Sequence, residues 1–234
     1  MIRKTKFVPN NYYHIYNRTI LKLPEFKDNN KANKLAQTFL LGNSTLSGKA
    51  FDYLRNDRNA TLEKAMEIVR SGEKLVDILC YSIMPDHYHL LLKELRENGI
   101  TSFNRRCNTS VAKYINTKYD RTGPLFESDF KSKHVNSNEY LLHLSVYIHL
   151  NPLDFLSGKE WRFNKLDDWK SSKEKLLNYP WSSARYFLDE NLKDKIISGT
   201  EIIFNQFKDR KEYEGFLKEW SMESLEGKED IFVD

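Results

Sequence analysis

The chain has 234 residues, 40% hydrophobic and 30% charged, which is the composition of an ordinary soluble globular protein long enough to bury a sizeable core. No run of about 18 apolar residues occurs and no signal-peptide core follows the basic start Met1–Lys6, so neither a membrane span nor export is expected. A net charge of +4 is compatible with a polyanionic partner without requiring one. Two widely separated cysteines, Cys80 and Cys107, fit a reduced, cytoplasmic setting.

Residues 11–17 are β-prone and predict a first strand. Helical spacing follows over 28–41, with Asp28 as N-cap. The stretch 43–75 reads as a polar insertion with a loop-like start, ending in a helix whose apolar face is Ala65, Ile68 and Val69. Two apolar runs, 75–83 and 87–93, are separated only by Met84-Pro85-Asp86, the pattern of an antiparallel hairpin. A helix is predicted over 101–119, a strand over 125–135, and a helix over 137–151 that starts with Asn136 and Glu139 in capping-box spacing and stops at Pro152. Residues 155–178 read as a charged linker and 180–234 as helical. The expected fold class is α+β: a ferredoxin-like, mostly antiparallel sheet over residues 1–153, followed over 154–234 by a linker and a helical C-terminal extension.

Two features carry chemistry. His87 and His89 stand at i and i+2 of a strand, so their imidazoles share a face and suit two neighbouring positions on one metal ion. The alternative is a pair of unrelated polar residues at a strand start. Tyr147 and Asn151, four apart on a helix, also share a face. Taken alone, Tyr147 would read as core and Asn151 as a helix end. A phenol with a free pKa of about 10 is a poor nucleophile unless a metal or an activated substrate assists it, so a tyrosine beside a histidine-bound divalent ion makes chemical sense.

The segments that carry these residues resemble a known family. Met84-Pro-Asp-His-Tyr-His-Leu-Leu-Leu92 is similar to the His-hydrophobic-His segment of the small HUH transposases, in particular the REP-associated tyrosine transposase group. The likeness continues, in the family's order, through Asn11–Arg18, Tyr114–Phe126, Phe130–Lys133, Tyr147–Pro152 and Tyr179–Ala184. Glu127-Ser-Asp129 departs from it, standing where the family often has Gln-Gly-Arg.

The resemblance implies the HUH endonuclease fold, His87 and His89 as metal ligands, Asn151 as the third, and Tyr147 as the nucleophile. It further implies Mg²⁺ or Mn²⁺, a 5′-phosphotyrosine link, single-stranded DNA with a hairpin as substrate, and a monomer. Arg18, Arg105, Arg106, Lys113, Lys118, Arg121, Lys131 and Lys133 crowd around the motif segments and are candidates for a phosphate track, although a solvated surface is the ordinary role of each. Tyr114, Tyr119 and Phe126 are candidates for base stacking or for core. His14 is either a neighbour of the metal ligands or a structural histidine, and His143 and His149 read as structural or exposed. The rival readings are a non-cutting hairpin-binding protein on the same fold, another kind of HUH enzyme, and a zinc hydrolase, which would need a further histidine or acid.

Overall fold

The computed structural model describes residues 6–163, 166 and 168–222, with the backbone alone for Glu160, Phe163 and Met222. The basic residues before Lys6 and the expected helix beyond Met222 lie outside the described residues. Four strands, β1 (Tyr12–Arg18), β2 (Val76–Ile83), β3 (His87–Glu94) and β4 (Lys131–Val135), form one sheet in the order β2-β3-β1-β4. Every neighbouring pair is antiparallel, as the ferredoxin-like expectation requires.

One face of the sheet is covered by α1 (Asn29–Gly42) and α4 (Gly99–Lys118). Alternation sends Tyr13 and Ile15 of β1 and Tyr88, Leu90 and Leu92 of β3 into that core, where the Phe39 ring meets Tyr88 edge-on at 5.5 Å. A register shift at Ile78/Cys80 leaves two consecutive residues, Leu79 and Cys80, in the opposite core while Ile78 and Tyr81 stay in the first. Asp28 caps α1 as expected, accepting the Asn30 and Lys31 amides at 2.8 and 3.2 Å. The start of α4 is held from a distance: the Glu94 carboxylate, at the end of β3, accepts the amides of Gly99 and Ile100 at 3.1 and 2.7 Å. Gly99 is needed there, since a Cβ would stand 2.4 Å from the Leu75 carbonyl oxygen.

The insertion contains two helices, α2 (Ser47–Asn56) and α3 (Leu62–Arg70), where the sequence suggested one. They pack on the end of α1 through a small core of Leu41, Ala50, Ala65 and Met66. The expected strand over 125–135 is confined to β4; its first half is irregular, with an isolated bridge from Phe126 to Thr19 and the Glu127 amide donating to the Arg18 carbonyl at 2.9 Å.

Helix α5 (Asn138–Leu150) covers the other face of the sheet. Its N-cap is Ser137, which accepts the Tyr140 amide at 3.0 Å, rather than Asn136. The helix is apolar almost all round because it is buried on both sides. Beneath it lies the sheet. Outside it lies the C-terminal region: α6 (Leu153–Leu156), a 3-10 turn (Lys159–Phe163), α7 (Trp169–Asn178), α8 (Ala184–Leu188), α9 (Glu201–Phe204) and α10 (Arg210–Met222). Tyr213, Leu217 and Trp220 of α10 and Trp161 share one core with α5, so the region expected to be a linker is packed structure. Segment 181–183 runs along β2, with the Trp181 carbonyl accepting the Ile83 amide at 2.9 Å and the Tyr81 carbonyl accepting the Ser183 amide at 3.0 Å. That pairing covers a sheet edge that would otherwise be open.

Candidate catalytic centre

The hairpin turn delivers the first part of the site. Met84 closes it by donating its amide to the His87 carbonyl at 2.7 Å, and β3 begins at His87. Alternation then places His87 and His89 on the α5 side, with ring centroids 4.9 Å apart and planes nearly perpendicular. Each ring is held through Nδ1. Asp86 Oδ1 lies 2.6 Å from Nδ1 of His87, and His14 Nε2, from β1, lies 2.9 Å from Nδ1 of His89. His14 is thus a buried histidine in contact with His89.

The electrostatics keep these groups in defined states. Burial alone would raise the Asp86 carboxyl, but the hydrogen bond to His87 and the charges of His87 and Arg18 outweigh it and hold it below the usual range. Arg18 Nε lies 3.6 Å from the same carboxylate. Burial, reinforced by the charges of His87, His14, Arg162 and Arg18, pushes His89 well below its ordinary value. Its ring is thus neutral, the form in which imidazole binds metals.

Tyr147 comes from α5, which lies across the strands. Its ring meets His89 edge-on at 5.4 Å and His14 at 6.3 Å. On its other side stand Trp161 at 6.4 Å and the Arg162 guanidinium, 5.5 Å from the ring centroid. Asp154 fixes both of these residues. It accepts from the Trp161 indole at 2.7 Å and takes a two-pronged bond from Arg162 at 2.9 and 2.6 Å. Tyr147 is consequently fully buried. Asp154, Trp161 and Arg162 were not found in the sequence, where they lie in or beside the supposed linker. The Trp161-Arg162 pair a few residues beyond the Asn151-Pro152 stop was the available signal.

One helical turn beyond Tyr147, Asn151 is fully buried, and neither atom of its amide has a hydrogen-bond partner among the described residues. Leaving a buried amide unsatisfied costs on the order of 1–3 kcal/mol, so an oxygen donor in this place fits a ligand the chain itself does not supply. Among the described residues, no three His, Cys, Asp or Glu side chains are grouped so as to hold a metal ion.

The candidate cations divide between the two faces. Register pairs Lys131 with Tyr16, Lys133 with His14 and Arg18 with His87, so all three project on the histidine side. Lys131 Nζ stands 5.8 Å from the Tyr16 ring centroid and Lys133 Nζ 5.3 Å from that of Tyr140. Arg105, Arg106 and Lys113 lie on α4, in the helical layer across the sheet. Lys118 ends the same helix, bonded to the Tyr114 hydroxyl at 2.9 Å, and Arg121 follows it, 3.8 Å from Glu25. Of the three aromatics considered for stacking, Phe126 is core, Tyr114 is half-buried and Tyr119 is exposed.

Residues 52–151, from the second half of α2 through Asn151, match the family model described as transposase IS200 like. The match makes this segment, less than half of the chain, similar to IS200-like transposases. The fold is similar to that of a REP-associated tyrosine transposase solved bound to a REP hairpin, with a TM-score of 0.50 over 85% of this chain and 92% of that one, at 10% identity. At that identity the likeness is one of fold. A Deinococcus radiodurans protein solved as a candidate transposase covers 60% of this chain at 15% identity, with a TM-score of 0.27, too slight a likeness to argue from. A search of curated protein sequences finds no match. The matched segment contains both histidines, Tyr147 and Asn151; β1 and the C-terminal helices lie outside it. Among the described residues, no helix is long and apolar enough to cross a membrane.

Proposed function

We propose that the protein is a single-tyrosine DNA strand transferase that cuts and rejoins single-stranded DNA beside a hairpin, acting as a monomer. The observation that carries this reading is the packing of the Tyr147 ring against His89, itself paired with His87, with the orphaned amide of Asn151 one turn along the same helix. His87, His89 and Asn151 would hold Mg²⁺ or Mn²⁺, which when bound polarises the scissile phosphodiester as a Lewis acid. Asp86 and His14 orient the two imidazoles through Nδ1, and Nε2 would be the ligating nitrogen of each. Arg18, Lys131 and Lys133 line the same face and would hold flanking phosphates.

The Tyr147 oxygen forms a bond to phosphorus as the bond from phosphorus to the 3′-oxygen breaks. The departing strand takes a proton and ends in a 3′-hydroxyl, while the other strand stays on Tyr147 through its 5′-phosphate. The number of phosphodiester linkages is unchanged, so attack by a 3′-hydroxyl reverses the step without ATP.

One observation favours a hairpin-binding protein that does not cut: the complete burial of Tyr147 under Trp161 and Arg162. On the strand-transferase reading that pair moves aside when DNA binds. The deciding experiment incubates labelled single-stranded hairpin DNA with the wild type and with Tyr147→Phe, in Mn²⁺ and in EDTA. The proposal expects a protein–DNA adduct from the wild type in Mn²⁺ alone. Cutting that survives in Tyr147→Phe sinks the nucleophile. Binding without any adduct favours the non-cutting reading.

A further inference from the structure

The helical layer across the sheet from Tyr147 contains a groove of about 670 Å³ between α1, α2 and α4. Five of its lining side chains are cations: Lys34, Arg55, Arg105, Arg106 and Lys113; no carboxylate is among the lining residues. Its floor is apolar, formed by half-buried Phe51, Leu54 and Tyr114. Helical spacing builds it. Arg106, Ser110, Lys113 and Tyr114 fall on one face of α4, and Phe51, Leu54 and Arg55 on the facing side of the inserted α2. Arg106 also anchors the insertion by donating to the Ser44 carbonyl.

We infer that this groove binds an unpaired stretch of DNA that flanks the reacting segment, its phosphates against the cations and its bases on the apolar floor. A double helix presents phosphates but hides its base faces, so it satisfies the rim and leaves Phe51, Leu54 and Tyr114 uncovered; unpaired bases satisfy both. A free phosphate likewise meets only the cations. Among the described residues, Lys34, Arg105, Arg106 and Lys113 form no ion pair with a carboxylate. Burial holds the Lys34 ammonium below its usual range, and burial followed by the neighbouring Arg105 charge does the same to Arg106. Of the five, Arg55 has an acidic partner, Asp52 at 2.5 Å, and that pair is exposed.

The choice of DNA over RNA rests on the strand-transferase reading; the choice of an unpaired strand rests on the groove alone. The test measures fluorescence anisotropy of labelled oligothymidine with the full chain in EDTA, where no cutting occurs, over a range of salt. The variant is the double change Arg105→Gln with Lys113→Gln, both exposed and unable to disturb the core. It should weaken binding about tenfold and flatten the salt dependence by about 1.4 in log–log slope, roughly 0.7 per lost phosphate contact. Phe51→Ala should weaken binding about fivefold or more while leaving the slope unchanged. Tyr147→Phe should bind as the wild type does, so failure of the nucleophile leaves this result standing. Wild-type affinity and slope in the double variant overturn the site. An equal loss for a duplex of the same length overturns the unpaired strand. Tighter binding of oligouridine RNA, lost in the double variant, overturns DNA as the occupant.

Discussion

The two faces of one sheet hold very different side chains. Beneath α1 and α4 the strands present Tyr13, Ile15, Tyr88, Leu90 and Leu92, an apolar layer that needs no partner beyond close packing. Beneath α5 the same strands present His14, Tyr16, His87 and His89 beside Leu79, Cys80, Leu91 and Val135, with Lys131 and Lys133 at the edge. Burying imidazoles is unfavourable unless each nitrogen is engaged, and that face is organised around polar contacts: Asp86 to His87, His14 to His89, Asp154 to Trp161 and Arg162. The first face is held mainly by apolar packing, while the second combines an apolar core with the polar groups of the site. Alternation along each strand lets one segment do both.

Substitutions on the two faces should therefore fail in different ways. Tyr147→Phe should lower adduct formation by at least about 10³-fold with hairpin affinity unchanged, read on a denaturing gel beside a binding assay. Trp161→Ala, which empties a fully buried site next to Tyr147, should cost about 3–5 kcal/mol in urea denaturation. A cost under about 1 kcal/mol would mean that the segment packs loosely over the phenol. Asp86→Asn should weaken Mn²⁺ binding about 10- to 100-fold with little loss of stability, measured by titration calorimetry.

A fourth prediction concerns acid. His149 is buried, with Nδ1 2.7 Å from the Tyr213 hydroxyl and Nε2 2.9 Å from Ser183 Oγ, and burial pushes it down to about 3. The unfolded chain takes up its proton near the ordinary value of about 6.5. Between those limits the unfolded state binds more protons, so stability should fall as pH falls from about 6.5 towards 3, with no contribution from this group above 6.5. Melting curves across that range check it, and His149→Asn should flatten the slope. The smallest effect belongs to the apolar face: Asp28→Ala removes the α1 cap and should cost about 1 kcal/mol with Mn²⁺ binding untouched.

What could be read in the sequence depended on how local its cause was. The His87/His89 pair and the Tyr147/Asn151 pair follow from periods of 2 and 3.6 within single elements, so spacing alone placed each pair on one face. The hairpin and the Asp28 cap follow from short apolar runs and the stops between them. The covering of Tyr147 by Trp161 and Arg162 could not be read, because it depends on the path of the chain after Pro152. Helix α2 was hidden by its polarity: Ala50, Phe51, Tyr53 and Leu54 are its apolar positions. Asn136 and Ser137 are equally good capping residues, and only backbone geometry selects Ser137. Leu125, Phe126 and Phe130 are apolar because they pack into the α1/α4 core from irregular chain, which periodicity does not separate from a strand.

The central claim is that Tyr147 itself becomes bonded to DNA. The most direct measurement digests the adduct formed on hairpin DNA in Mn²⁺ with protease and nuclease and sequences the modified peptide by mass spectrometry. The account predicts a nucleotide attached through its 5′-phosphate to Tyr147 within Val146-Tyr-Ile-His-Leu-Asn151. Attachment to another residue, or a 3′-phosphate link, would contradict it.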